Sequence, residues 1–336
     1  MKIRLILLLL LQICNYSMAQ KVYPTIGETI YLDPSLQAIL PKDSKIEVLA
    51  SGFQWSEGPV WIKKEGYLLF SDVPANTIFQ WKESTGLSTF LKPSGYTGIG
   101  MYSDEPGSNG LIINQKGELV SCEHGDRRVS SMSLIKGGKR TLADNFEGKR
   151  FNSPNDVVQH ANGSYYFTDP PYGLEKKQDD PSREIKEFGV YKITPNGKVT
   201  MQINNLSRPN GLAFSPDGKT LYVAQSDPER AIWMKYPVDS QGNIGTGTLL
   251  LDVTSSLKID QLKGLPDGLK IDKDGNLWAS GPGGIWIISP AGKVLGRLNI
   301  GELTSNCAWG DDGSTLYLTV NGYLCRIKTN TKGAGW

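Results

Sequence analysis

Arg208-Pro209-Asn210-Gly211-Leu212-Ala213-Phe214-Ser215-Pro216-Asp217-Gly218-Lys219-Thr220-Leu221-Tyr222-Val223-Ala224 is the stretch that decides the fold. Two apolar runs, Leu212 to Phe214 and Leu221 to Ala224, flank an Asp-Gly turn, which is the pattern of a β-hairpin. Asn210 stands just ahead of the first run. The same arrangement recurs. Ser56-Glu57-Gly58-Pro59-Val60-Trp61 precedes 66–72, Ser108-Asn109-Gly110-Leu111 precedes 117–122, and Pro154-Asn155-Asp156-Val157 precedes 163–168. Pro266-Asp267-Gly268-Leu269 precedes 274–279, and Ser305-Asn306-Cys307-Ala308 precedes 312–318. The polar positions lie 52, 46, 55, 57 and 39 residues apart. Such spacings with strand-only content are those of four-stranded propeller blades.

One register position in each repeat therefore carries an oxygen-bearing side chain: Glu57, Asn109, Asn155, Asn210, Asp267 and Asn306. If each hairpin opens with the innermost strand of a blade, the six project around one axis. Asn and Asp ahead of a strand also make turns, but six copies in register, one of them a Glu, point to a site. Carboxylate and amide oxygens converging on a point suit a hard divalent cation, Ca2+ above all.

The chain of 336 residues fits one large all-β unit, and its 38 glycines and 19 prolines reflect many turns. The formal net charge is +2 and the basic residues are scattered, so there is no electrostatic footprint for nucleic acid. Residues 1–19 read as a signal peptide: Lys2 and Arg4 lead, Leu5 to Ile13 form an apolar core too short to span a membrane, and Ser17-Met18-Ala19 is a small-x-small cleavage site. The expected location is exported, periplasmic or secreted. A lipid anchor on Cys14 is disfavoured because Ile13 stands where a small residue is needed. Of the remaining cysteines, Cys307 and Cys325 fall on strands two apart in one blade, about 9.5 Å from each other and too far for a bridge. Three buried free thiols are expected, with Cys122 the third.

Residues 20–44 read as an irregular arm, 45–328 as the propeller and 329–336 as a frayed tail. The last repeat holds only three strands, and the segment 45–50 is predicted to supply the fourth, closing the ring. The glycine-rich stretch 94–104 reads as a mobile rim loop whose Tyr96 and Tyr102 are candidates to touch a ligand. A charged insertion, 170–187, reads as a solvated rim loop, with Tyr172 at its start facing the channel mouth.

Ser-Glu-Gly-Pro-Val-Trp (56–61), Asn-Ser-Pro-Asn-Asp-Val-Val (152–158), Arg-Pro-Asn-Gly-Leu-Ala-Phe-Ser-Pro-Asp (208–217) and Pro-Asp-Gly-Leu (266–269) resemble the regucalcin–gluconolactonase family, also called senescence marker protein-like. Cys-Glu-His-Gly-Asp-Arg-Arg (122–128) and Tyr-Phe-Thr-Asp-Pro-Pro-Tyr-Gly (166–173) resemble its bacterial gluconolactonase branch. The resemblance covers about residues 45–328. It implies a six-bladed β-propeller binding one divalent cation, usually Ca2+, with Mg2+, Mn2+ and Zn2+ as alternatives. It implies Glu57, Asn210 and Asp267 as metal ligands, and Asn155 as a further ligand or a substrate contact. Asn109 and Asn306 have no firm counterpart. Ser153 stands where the animal branch has an Arg for substrate hydroxyls, leaving Arg127 and Arg150 as substitutes.

The implied reaction is hydrolysis of a sugar lactone, the metal polarising the carbonyl and Asp267 activating water. Direct attack by the Asp267 carboxylate is the other route. His124 is a secondary candidate for proton transfer to the leaving alcohol. No Gly-x-Ser-x-Gly elbow is present, which argues against serine hydrolase chemistry. Hydrolysis of other lactones, aryl esters or phosphate esters is an alternative, as is a non-catalytic ligand-binding propeller. A small-molecule partner and a monomer or dimer are expected.

Overall fold

A computed structural model describes residues 21–258 and 261–336. The proposed signal peptide and Cys14 lie outside the described residues. The described chain forms seven antiparallel sheets: a two-stranded ribbon of Asn145–Phe146 with Lys149–Arg150, and six arranged as the blades of a propeller. Their innermost strands are, or begin at, Ser56–Ile62, Ser108–Ile113, Val157–Gln159, Pro209–Phe214, Leu269–Ile271 and Thr304–Gly310. Each innermost strand contacts those of the two adjacent blades, so they ring a common channel.

The hydrophobic core is six clusters, one between each pair of neighbouring blades. Period-two geometry explains why the second strands are continuous apolar runs: alternate side chains serve opposite neighbours. In blade one, Leu69 packs toward blade two while Leu68 and Phe70 pack toward blade six. In blade four, Leu221 and Val223 face blade three while Tyr222 and Ala224 face blade five. Serine hydroxyls stitch the blades together near the axis. Ser71 Oγ donates to the Asn109 carbonyl at 2.9 Å, Ser280 Oγ to the Ser305 carbonyl at 2.7 Å, and Ser305 Oγ to the Ser56 carbonyl at 2.6 Å. Ser226 Oγ donates to the Pro266 carbonyl between blades four and five.

Closure is by the N-terminal strand. Glu47–Ser51 pairs antiparallel with Tyr323–Lys328 as the outermost strand of blade six. The arm before it is less irregular than its prolines suggest. Glu28–Tyr31 pairs with Val294–Asn299 and gives blade five a fifth strand, and a short helix follows at Leu36–Ile39. The expectation of a frayed tail is also corrected. The Lys273 N–H donates to the Lys332 carbonyl at 2.8 Å, the Ala334 N–H donates to the Ile271 carbonyl at 3.0 Å, and Thr331 is buried. Among the described residues Cys122, Cys307 and Cys325 are free and buried, as expected.

Candidate functional site

Four of the six polar positions are turned toward the channel by a shared device. The strand ladder shifts register between Glu57 and Val60, Ser108 and Leu111, Pro209 and Leu212, and Thr304 and Asn306. A bulge at the start of a strand re-aims side chains that regular pleating would send between blades. Asn155 and Asp267 sit just before pairing begins at Val157 and Leu269. Glycines then let the blades close up. A Cβ on Gly58, which has φ +48°, would lie 1.9 Å from the Asn109 carbonyl oxygen, and one on Gly268 would lie 1.9 Å from Asn306 Cγ.

The result is a crowded group of acids with few partners. Glu57 is buried, and its Oε2 accepts from the Gly58 N–H at 2.8 Å and from Asn306 Nδ2 at 3.3 Å. Burial first, then repulsion from Asp156 and Glu105, pushes its carboxyl up to about 8. Asp267, half-buried, is raised well above the usual range by burial and then by Glu57, Asp156 and Glu105. Asp156 is raised by burial, which outweighs the attraction of Lys270. Glu57 and Asp267 each feel Asp156 and Glu105, so these carboxylates share one electrostatic environment. Around them the buried oxygens Asn109 Oδ1, Asn155 Oδ1, Asp156 Oδ2 and Tyr172 Oη have no hydrogen-bond partner. Unpaired acceptors beside unpaired acids are costly in a sealed protein, and a hard cation satisfies both. The residues present therefore fit a divalent cation with mixed carboxylate and amide ligands. No cluster of three His, Cys, Asp or Glu side chains among the described residues is arranged to hold an ion. The predicted set has only two acids and relies on amides for the rest.

Glu123 shows the contrast. It too is fully buried, but it accepts from Arg128 Nε at 2.6 Å, Lys139 Nζ at 2.5 Å, Ser130 Oγ at 2.5 Å and Ser121 Oγ at 3.0 Å. Asp72 and Asp169, at the ends of second strands, accept backbone N–H groups from Gln54 and Trp55 and from Asn152 and Ser153. These acids hold loops, and their recurrence after the second strand of a repeat is the signal that marks them.

Two expectations change. His124 was a candidate for proton transfer to the leaving group. It is fully buried, its Nδ1 bonds the Glu105 carbonyl at 3.2 Å, and its Nε2 faces Asn155 Nδ2 at 3.5 Å. Burial pushes its ring down to about 3, so it is neutral, with both nitrogens committed to protein. Arg127 was a candidate substrate contact. It is buried and donates from Nε to the Phe151 carbonyl at 2.6 Å and from Nη1 to the Ser182 carbonyl at 3.1 Å, tying down the charged insertion. Arg150 likewise donates to the Asp126 carbonyl, at 3.1 Å. Arg208 is instead close enough to act on the Tyr172 hydroxyl, which also lies beside Ser226, Asn210 and Asp267, and Lys177 Nζ donates to the Tyr172 carbonyl. Tyr172 itself is half-buried. Its hydroxyl is raised by burial and completes no hydrogen bond.

The insertion itself packs. Leu174 and Ile185 are buried, the latter in the cluster between blades two and three. The 94–104 loop is also anchored: Asn76 Oδ1 accepts N–H groups from Ser94, Gly95 and Tyr96, and Tyr96 stacks on Tyr102 at 5.1 Å. Glu105 and Lys270 went unnoticed in the sequence because each occurs once, outside the repeating position. A cavity of about 990 Å3 opens at the other end of the channel, against Val60, Leu111, Val158, Phe214, Ile271 and Trp309. Charged residues, among them Lys63, Glu65, Lys116 and Lys270, share that lining, and none of the predicted ligands is part of it.

Comparison with known proteins identifies the family and the fold. Residues 55–322 match the family described as the SMP-30/Gluconolactonase/LRE-like region. The chain is 43% identical over 315 residues to the gluconolactonase of Zymomonas mobilis subsp. mobilis, covering 92% of this chain and 88% of that protein. The solved structure of a gluconolactonase from Xanthomonas campestris superimposes with a TM-score of 0.78 at 27% identity, covering 93% of this chain and 99% of that one. A calcium-binding protein, regucalcin, from Agrobacterium tumefaciens shares the fold at a TM-score of 0.67 and 19% identity, over 86% of this chain and 94% of that one.

Proposed function

This chain belongs to the SMP-30/gluconolactonase/LRE-like family, and from that premise we propose that it opens sugar lactones of the gluconolactone type with the help of a divalent cation, Ca2+ first, held by Glu57, Asn155, Asn210 and Asp267. It is a lactone-hydrolysing enzyme. The observation that carries the cation is the pairing of uncompensated carboxylates Glu57 and Asp267 with the unpartnered Asn155 Oδ1. When bound, the ion supplies a Lewis acid for the lactone carbonyl and for the charge of its tetrahedral intermediate.

The chain's own groups do the rest. The Asp267 carboxylate takes a proton from the attacking water as the new C–O bond forms. The ring C–O bond then breaks, and the same carboxyl returns the proton to the leaving oxygen, giving the hydroxy acid. His124 is sealed away from this exchange. We assign Tyr172 Oη and Arg208 to the substrate hydroxyls, a reading supported by the nearness of Arg208 to the Tyr172 hydroxyl. The basic start, short apolar core and Ser17-Met18-Ala19 box of the leading segment support export, and a mature protein beginning at Gln20 is the expected result of N-terminal sequencing.

Purified protein should open glucono-1,5-lactone faster than buffer, and a chelator should abolish the difference. Asp267→Ala should fold but lose about 10²- to 10⁴-fold in rate. Activity that survives complete chelation defeats the metal reading. Activity on unrelated esters with none on lactones defeats the substrate reading.

A further inference from the structure

We propose that His124 is a positioning residue whose Nε2 fixes the side-chain amide of Asn155 so that its Oδ1, not its Nδ2, faces the cation site. The proposal rests on the metal reading above. An asparagine amide has an acceptor end and a donor end of nearly the same shape. Turned one way it is a cation ligand, and turned the other it repels a cation. Something must break that symmetry.

The surroundings of Asn155 supply the means. His124 Nδ1 lies 3.2 Å from the Glu105 backbone carbonyl, which can only accept, so the proton sits on Nδ1. Nε2 is then a bare acceptor, and it faces Asn155 Nδ2 at 3.5 Å. The donor end of the amide is thereby claimed, leaving Oδ1 buried and without a partner. The ring is closely packed on one side. A Cβ added to Gly173 would come within 2.4 Å of His124 Cβ and 2.6 Å of its Cγ, so the insertion's first turn presses against it. Gly173 is itself held by its N–H to Ser153 Oγ at 3.0 Å, and the His124 N–H donates to the Gly107 carbonyl at 3.1 Å. The relay therefore runs from the Glu105 carbonyl through the His124 ring to the Asn155 amide. This is the outer-shell logic by which metal ligands are oriented.

A double-mutant cycle tests it, read by calorimetric titration of Ca2+ into chelator-treated protein without substrate. His124→Leu, which has no acceptor, should weaken Ca2+ binding by about 10- to 100-fold. His124→Gln, which offers an acceptor of similar reach, should recover much of that loss. In an Asn155→Asp background the two carboxylate oxygens are equivalent, so orientation no longer matters and His124→Leu should cost less than about threefold. Equal losses in both backgrounds assign His124 a merely structural role and overturn the proposal, as does no loss in the wild-type background. If the unmutated protein binds no divalent cation, the metal reading itself falls. If it binds and the cycle is flat, only His124's role falls.

Discussion

Glu57 and Glu123 are both buried glutamates of neighbouring blades, yet their surroundings give them opposite roles. Glu123 is met by two cations and two hydroxyls. Glu57 is met by one N–H and one amide, and by other acids. Removing each charge should therefore move stability in opposite directions. Glu123→Gln strands Lys139 and Arg128 and should cost about 3 kcal/mol. Glu57→Gln relieves repulsion and should stabilise the metal-free protein by about 1 kcal/mol while abolishing cation binding. Urea unfolding in chelator reads both, and equal destabilisation would refute the distinction. The sequence displayed Glu57, Asn155, Asn210 and Asp267 because their position repeats. Lys270, Glu105 and the true setting of His124 were hidden, because each is brought to the site by a loop or a single substitution with no internal copy to compare.

Blades are built from hairpins, and hairpins announce themselves locally through Asp-Gly and Asn-Gly turns, so the strand plan of 45–328 was legible. Elements that depend on distant partners were not. Glu28–Tyr31 becomes a strand only because blade five offers an open edge, and the 170–187 insertion packs only because Arg127 and the groove between blades two and three receive it. The start of each innermost strand is set by bulges and close approaches, which sequence pattern shows only as glycine. Gly58→Ala should cost about 1–3 kcal/mol, since a left-handed φ and the Asn109 carbonyl both oppose the new methyl. Its effect should extend to cation binding, because the same carbonyl belongs to the neighbouring ring residue. A variant with unchanged urea midpoint would show that the strand start can yield. The three thiols, packed between blades, should stay unmodified by a thiol reagent in the native protein and react together in denaturant. Burial raises Cys307 and Cys325 to about 12, which reinforces their inertness.

Across the whole molecule the ring is held shut at one seam, where polar groups gather. Arg326 of blade six donates to Glu47 at 2.7 Å and to Glu83 of blade one at 2.5 Å, while Tyr23 Oη donates to Glu83 at 2.9 Å. Burial works against the Glu83 charge, but the Tyr23 hydroxyl and the Arg326 guanidinium outweigh it and hold the carboxyl below its usual range. Its contribution is thus present above the unfolded carboxylate value of about 4.3 and lost as pH falls through the lower folded one. Tyr23 runs the other way. Burial and Glu83 raise it to about 12, so its contribution holds below about 10 and is lost as pH climbs through 12. Melting temperature should therefore fall at both extremes, and Arg326→Met should flatten the acid limb. An acid limb unchanged in that variant would place the sensitivity elsewhere. The seam has a further consequence for how the protein is made. Glu47 and Arg326 are 279 residues apart. At about 5–20 residues per second of translation, the strand that completes the last blade waits on the order of tens of seconds for its partner to emerge. Throughout that interval the strand Glu47–Ser51 has no edge to pair with, so the ring cannot shut before the far end of the chain has been delivered.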